Sequence, residues 1–226
     1  VAAEFPGVTF VVIDAPASMT TTDNLAAYRF RAQDGGFLVG AAAALKCRCE
    51  TIGFIGLRGD ADARAAEAGY AAGARAVRDG VDVATTSVAA TADASAVRDA
   101  AEGLLDAGAE VLFVVAGAAS GGAFAAAAAR GAWAIGEGTD AYLTASDDVR
   151  SVLLTSMLRR LDAAVFEAIR TASTGAAIEG ERRFGIADNG VGYSTASPDL
   201  STDIVGDLER LRQDVLTGEV VVPDAP

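Results

Sequence analysis

Residues 108–140 read GAEVLFVVAGAASGGAFAAAAARGAWAIGEGTD, and this stretch decides the fold. Glu110–Ala116 is a short apolar run rich in Val and Phe, too short and too β-branched for a buried helix, and so a strand. Gly117–Gly122 is a loop of small residues. Phe124–Arg130 carries alanine, the best intrinsic helix former, at almost every position, and Gly131 stops it. Trp133–Gly136 is a second strand, followed by the acidic, glycine-containing segment Glu137–Asp140. Parallel strands joined by one helix cross over right-handed, so both carboxyl ends lie on one edge of the sheet. Ligands bind at that edge in open α/β sheets, which sets the Gly117 loop beside the Glu137–Asp140 loop at a site.

The same alternation runs outward in both directions. Towards the amino terminus, Val8–Asp14, Asn24–Phe30, Thr51–Gly56 and Val81–Val88 read as strands. Gln33–Leu45, Ala63 to about Arg78 (capped by Asp60 or Asp62) and Ala92–Ala107 read as helices. In the last of these Val97, Ala101, Leu104 and Leu105 share one face. Towards the carboxyl terminus, Thr155 or Ser156 is expected to cap a helix reaching about Ala172, with Leu158, Leu161, Val165 and Ile169 as its apolar stripe and Gly175 as its stop. Phe184–Tyr193, Ile204–Leu216 and Val220–Val222 then read strand, helix, strand. Strands alternating with helices make the class α/β with parallel sheets. The lobe break is expected near Lys46–Glu50, where charge and cysteines interrupt the pattern.

With 226 residues, 51% of them hydrophobic, the chain can bury a substantial core in one large or two modest domains. A net charge of −13 argues against nucleic acid and anionic lipid as partners. No apolar run approaches the length of a membrane span. The chain lacks histidine, which removes the commonest general base and metal ligand and any Ser-His-Asp or Cys-His site within it. Cys47 and Cys49 form a C-x-C in KCRCE. Tetrahedral zinc needs four ligands and there is no second Cys or His pair, so the pair reads as two thiols in a turn, with a transient metal or redox role as the other reading. No metal site and no cofactor is expected.

Gly53, Gly56 and Gly59 give G-x-x-G-x-x-G, which is not the dinucleotide fingerprint, and tight strand–helix packing explains them better. The Gly117–Gly122 loop, with Ser120, precedes a helix whose amides can hold an anion or a polar ligand group, but it lacks the Lys and Ser/Thr of a P-loop. Asp14 and Asp140 follow strand carboxyl ends, where carboxylates accept hydrogen bonds from sugar or amide groups or serve as helix caps. Arg159 falls in the first turns of the helix expected over 156–172, where the helix dipole disfavours a cation by roughly 0.3–1 kcal/mol. An acid such as Asp140, or a ligand, would offset that; a surface pair with Arg160 is the alternative.

FPGVTFVVIDA, FRAQDGGFLVGAAAAL, TIGFIG, GYAAGA, GAEVLFVVAGAASGGAF, AWAIGEGTDAY, LLTSMLRRLDAAVFEAI and DNGVGYS follow one another in a single order over nearly the whole chain. Together they resemble the basic-membrane-protein family of bacterial ABC-transporter substrate-binding lipoproteins, whose studied members bind purine nucleosides. The resemblance implies a type I periplasmic-binding-protein fold: two Rossmann-like lobes with parallel sheets, three crossovers and a ligand cleft between them. It implies that 1–48 plus 155–175 are the remainder of the N-terminal lobe and that 49–154 plus 176–226 form the C-terminal lobe. Asp14, Gly117, Ser120, Gly138, Asp140 and Arg159 would then face the cleft as ligand-binding residues. The chain departs from the family pattern at Ala119, Gly138 and Ala141, where the family has Thr, Asp and Gln, and has Arg159 where the family has Lys.

The function so implied is that of an extracytoplasmic receptor, not an enzyme. It closes on a small, nucleoside-like solute, delivers it to ABC permease subunits, and meets the membrane only through a lipid anchor absent from this sequence. The missing initiator Met, basic n-region and lipobox cysteine read as an N-terminally incomplete chain. A ligand-sensing domain of a regulator with the same fold is the second reading. An α/β enzyme using Asp140 or Asp188 as base is the third.

Overall fold

The computed structural model describes residues 1–47 and 49–223; Arg48 and 224–226, at the ends of two of the expected units, lie outside the described residues. In chain order the elements begin β1 (Phe10–Ile13), β2 (Leu25–Phe30), α1 (Ala32–Lys46), β3 (Thr51–Leu57), α2 (Ala61–Val77), β4 (Asp82–Val88) and α3 (Ala94–Asp106). They continue β5 (Ala109–Val115), a 3-10 turn (Gly117–Ser120), α4 (Gly121–Arg130), β6 (Trp133–Gly138), the short helices α5 (Ala141–Thr144) and α6 (Asp147–Arg150), and β7 (Leu153–Arg159). The last are α7 (Leu161–Ser173), β8 (Glu181–Phe184), β9 (Val191–Tyr193) and α8 (Thr202–Thr217).

Two sheets form, a three-stranded one in the order β1-β2-β8 and a six-stranded one in the order β4-β3-β5-β6-β7-β9. All pairings in them are parallel except that of β7 with the edge strand β9. The parallel strands of the larger sheet are covered on both faces, as their continuous apolar runs require. On one side Ile52, Phe54, Val111, Phe113 and Ile135 pack with α1 and α2; on the other Ile55, Leu112, Val114 and Ala134 pack with α3 and α4. Asp60 caps α2 by accepting from the Ala63 amide at 2.7 Å, and Asp93 caps α3 in the same way at 2.9 Å.

Helix α1 is buried from Ala32 to Ala44, on every side. Glycines let it touch α2 backbone to backbone. A Cβ on Gly73 would sit 1.8 Å from the Phe37 carbonyl oxygen, and one on Gly40 2.1 Å from that of Tyr70. The buried Asp34 ties the amino end of α1 down, accepting from the Ile186 amide at 3.1 Å and from Arg31 Nε.

The chain passes between the two sheets three times, at Arg31, at Arg160 and over Gly185–Gly190. These passages are bonded to one another: the Arg31 amide donates to the Phe184 carbonyl at 2.9 Å, and the Arg160 amide to that of Gly190 at 2.8 Å.

The structure departs from the sequence reading in three places. Thr155–Arg159 is strand and not helix; the stripe from Leu158 to Ile169 runs across a strand end and the start of α7. Phe184–Tyr193 is not one strand but the end of β8, a turn, and β9. Val220–Val222 forms no strand and packs as coil beside α8, the Val220 amide donating to the Asp214 carbonyl. Sheet membership follows these corrections: Thr155–Arg159 pairs in the larger sheet and Glu181–Phe184 in the smaller one, the converse of the expected lobe boundaries for both segments. Helix α1 likewise packs with α2, so the change of sheet falls at Arg31, ahead of Lys46–Glu50. No helix among the described residues is long and apolar enough to cross a membrane.

Candidate functional site

The parallel strands of the larger sheet deliver their carboxyl ends to one edge, and β6 and β7 end there side by side, Glu137 opposite Met157 and Gly138 opposite Leu158. Arg159 is the last residue of β7. Its Nη1 donates to both carboxylate oxygens of Asp14, at 2.8 and 2.9 Å. Its Nε lies 2.7 Å from Glu137 Oε1 but out of line for a hydrogen bond, so Coulomb attraction holds that pair. Asp62 Oδ2, from the first turn of α2, stands 3.9 Å from Nη1.

Asp14 comes from the other sheet. It directly follows β1 with a left-handed φ of 58°, a conformation that Asp tolerates better than most residues. The ion pair therefore spans the gap between the sheets. Arg159 and Glu137 are largely buried, with side chains 15% and 13% exposed, whereas Asp14 and Asp62 face solvent.

Burial pushes the Glu137 carboxyl above the ordinary glutamate range, and the nearby Arg159 charge pulls only part of the way back. Burial likewise raises Asp62 against the pull of Arg159. For Arg159 burial disfavours the charge, but the carboxylates of Glu137, Asp14 and Asp62 more than offset it and hold the guanidinium firmly protonated. Three carboxylates face one guanidinium, so the cluster is net negative and suits a ligand rich in hydrogen-bond donors.

Of the residues singled out from sequence, the structure brings Asp14 and Arg159 into contact. Asp140 is not Arg159's partner. Its Oδ1 accepts from the Tyr142 amide at 3.1 Å, capping α5, and its Oδ2 accepts from the Ser194 hydroxyl at 2.6 Å. Nor does Arg159 sit in a helix; its buried charge is offset by Asp14, Glu137 and Asp62. Gly117 and Gly138 both have positive φ, 56° and 86°, and open space where a side chain would be. Ser120 precedes α4 without its hydroxyl capping it. Gly53, by contrast, is a packing glycine, a Cβ there falling 2.5 Å from Leu112 Cδ2.

Sequence reasoning passed over Glu137 and Asp62 as site residues. Glu137 had a signal: it shares a strand face with the buried Ile135, where an acid is out of place unless paired. Asp62 had none, since only the fold brings α2 to the end of β7.

The sequence profile of the family described as "Bmp: ABC transporter substrate-binding protein PnrA-like" matches residues 1–225. The CD4+ T-cell-stimulating antigen of Listeria monocytogenes is 29% identical over 231 residues, covering 96% of this chain and 64% of that protein. Basic membrane protein A of Borreliella burgdorferi is 26% identical over 204 residues, covering 88% and 59%. The chain thus spans less than two thirds of the length of these curated relatives. A solute-binding protein of an ABC transporter system from Aeropyrum pernix K1 superposes with a TM-score of 0.78 at 26% identity, covering 99% of this chain and 73% of that one. The fold is that of type I periplasmic binding proteins, and the family is one of substrate-binding proteins rather than enzymes. With nearly every residue inside the profile and the fold shared with a solved solute-binding protein, the chain belongs to the Bmp family of PnrA-like ABC transporter substrate-binding proteins.

Proposed function

We propose that this chain is the solute-binding part of an extracytoplasmic receptor, lipid-anchored in the whole protein, that closes on a nucleoside-like solute and passes it unchanged to ABC permease subunits. One lobe is the β1-β2-β8 sheet with α7; the other is the six-stranded sheet with its helices. The observation that carries the reading is the Asp14–Arg159–Glu137 bridge, in which a carboxylate of one sheet meets a buried cation of the other at the strand carboxyl ends. A ligand that engages these groups from both sides favours the closed arrangement by its differential contacts.

The chemistry at the gap supports a sugar-like group in the ligand. Glu137 stands next to Gly138, where the family pattern carries an acid, and its carboxylate can accept from vicinal hydroxyls in that acid's place. Gly117 and Ser120 at the start of α4 offer amides and a hydroxyl to a base or carbonyl. Asp140 acts from behind, fixing the turn after β6 through Tyr142 and Ser194.

The test is a thermal-shift and calorimetric screen of purine and pyrimidine nucleosides. Ligand at about a hundredfold excess over Kd adds about 2.7 kcal/mol to stability. Asp14→Asn and Arg159→Met should each weaken binding at least about tenfold, the loss of one charged hydrogen bond. If both variants bind every ligand as tightly as the parent, this edge is not the site. If a polar solute other than a nucleoside gives the shift and the variants lose it, the site stands and the ligand class changes.

A further inference from the structure

At the opposite end of the larger sheet, where its strands begin, three potential metal ligands converge. Cys47 follows α1, Cys49 precedes β3, and Glu110 is the second residue of β5, sixty-odd residues away in sequence. Their sulfur and carboxylate atoms lie within 4.8 Å of one another, with Cys47 Sγ 3.9 Å from Glu110 Oε2. The two cysteines are joined as a disulfide. A bond that closes so short a loop removes little entropy from the unfolded chain, so it contributes less to stability than almost any other disulfide.

The surroundings favour the reduced pair. Arg78 Nη1 donates to the Cys47 carbonyl at 2.6 Å, while its Nη2 is buried without a hydrogen-bond partner among the described residues. The Cys49 amide points at Cys47 Sγ from 3.2 Å, a donor suited to a sulfur anion. Cys49 Sγ lies 2.8 Å from the Thr51 carbonyl oxygen, to which a thiol can donate and a disulfide sulfur cannot.

We propose that Cys47, Cys49 and Glu110 form a redox-gated site for a thiophilic d10 dication of the zinc class. A dithiol donor supplies two electrons and two protons to the disulfide, opening it to two thiols, and leaves as its own disulfide. Metal binding then releases the thiol protons and completes an S2O donor set, with water in the fourth position, the arrangement of an open rather than a closed structural site. The carboxylate shifts preference from copper(I) towards zinc(II) or cadmium(II). Glu110 and Trp133 line a cavity of about 470 Å³.

The experiment titrates cadmium(II) into the protein reduced with a water-soluble phosphine, which takes the oxygen of water as the disulfide opens to two thiols. The readouts are near-ultraviolet sulfur-to-cadmium absorption, native mass and the emission of Trp133, the chain's single tryptophan, which faces the neighbouring Lys46 ammonium at 4.1 Å. The expected result is saturation at one equivalent, with no binding by the oxidised protein. Cys47→Ser or Cys49→Ser should abolish the absorption, and Glu110→Gln should keep it while weakening affinity at least about tenfold. Circular dichroism confirms that each variant is folded. Absence of a one-to-one complex, equal binding by the oxidised protein, or a Glu110→Gln variant that binds as tightly as the parent would overturn the proposal.

Discussion

Glu137 is a largely buried carboxyl, and its titration should be visible. Its carboxyl holds a proton to higher pH in the folded chain than in the unfolded one, because burial disfavours the anion. In the window from the ordinary value of 4.5 upward to the raised one, the folded state binds more protons, so stability falls as pH rises. Below that window both states are protonated and the contribution is complete. Glutamine mimics the protonated form, so the melting temperature of the parent minus that of Glu137→Gln should fall as pH rises above the ordinary value of 4.5. A difference that is flat or rises with pH would show that Glu137 is not held in a desolvated site. Asp14 and Arg159 could be named from their places in the chain, whereas their contact could not. It depends on a left-handed backbone at Asp14 and on β7 running up to Arg159, neither of which a local pattern specifies.

Among the elements, the α1–α2 contact is the one that sequence composition under-describes. Gly36, Gly40, Gly69 and Gly73 lie at four-residue spacing on two helices, and each would thrust a Cβ into a backbone carbonyl of the other helix. Gly73→Ala should therefore destabilise the protein by about 1–3 kcal/mol, since rigid backbone must move. Gly103, exposed in the middle of α3 with nothing within 4 Å of its missing Cβ, is the matched control. There alanine should stabilise by about 0.5–1 kcal/mol through helix propensity alone. Urea midpoints of the two variants should move in opposite directions; a shared direction would refute the close-packing account.

The strands of residues 108–140 and their flanking helices were legible because burial on both faces writes long apolar runs and alanine-rich helices into the sequence. The error at Thr155–Arg159 has the converse cause. Leu158 belongs to a strand and Leu161, Val165 and Ile169 to a helix, yet their spacing of three and four counts straight across the junction. The stripe is also less buried than its pattern implies, with Val165 and Ile169 43% and 64% exposed.

At the scale of the molecule, closure of the two sheets on a solute should be a rotation about the short joints at Arg31, Arg160 and Gly185–Gly190. Small-angle scattering with the best ligand from the nucleoside screen should show a decrease in radius of gyration, and Arg159→Met should fail to show it at the same ligand concentration. An unchanged radius in a sample shown to be saturated would rule out hinge closure. The joints themselves carry a further consequence. Because the backbone crosses from sheet to sheet at Arg31, Arg160 and Gly185–Gly190, connectivity between the halves is threefold redundant. A protease that nicks any one crossing leaves a two-fragment complex whose halves remain covalently tethered through the other two, so cleavage at the hinge alters the freedom of the motion without releasing either half.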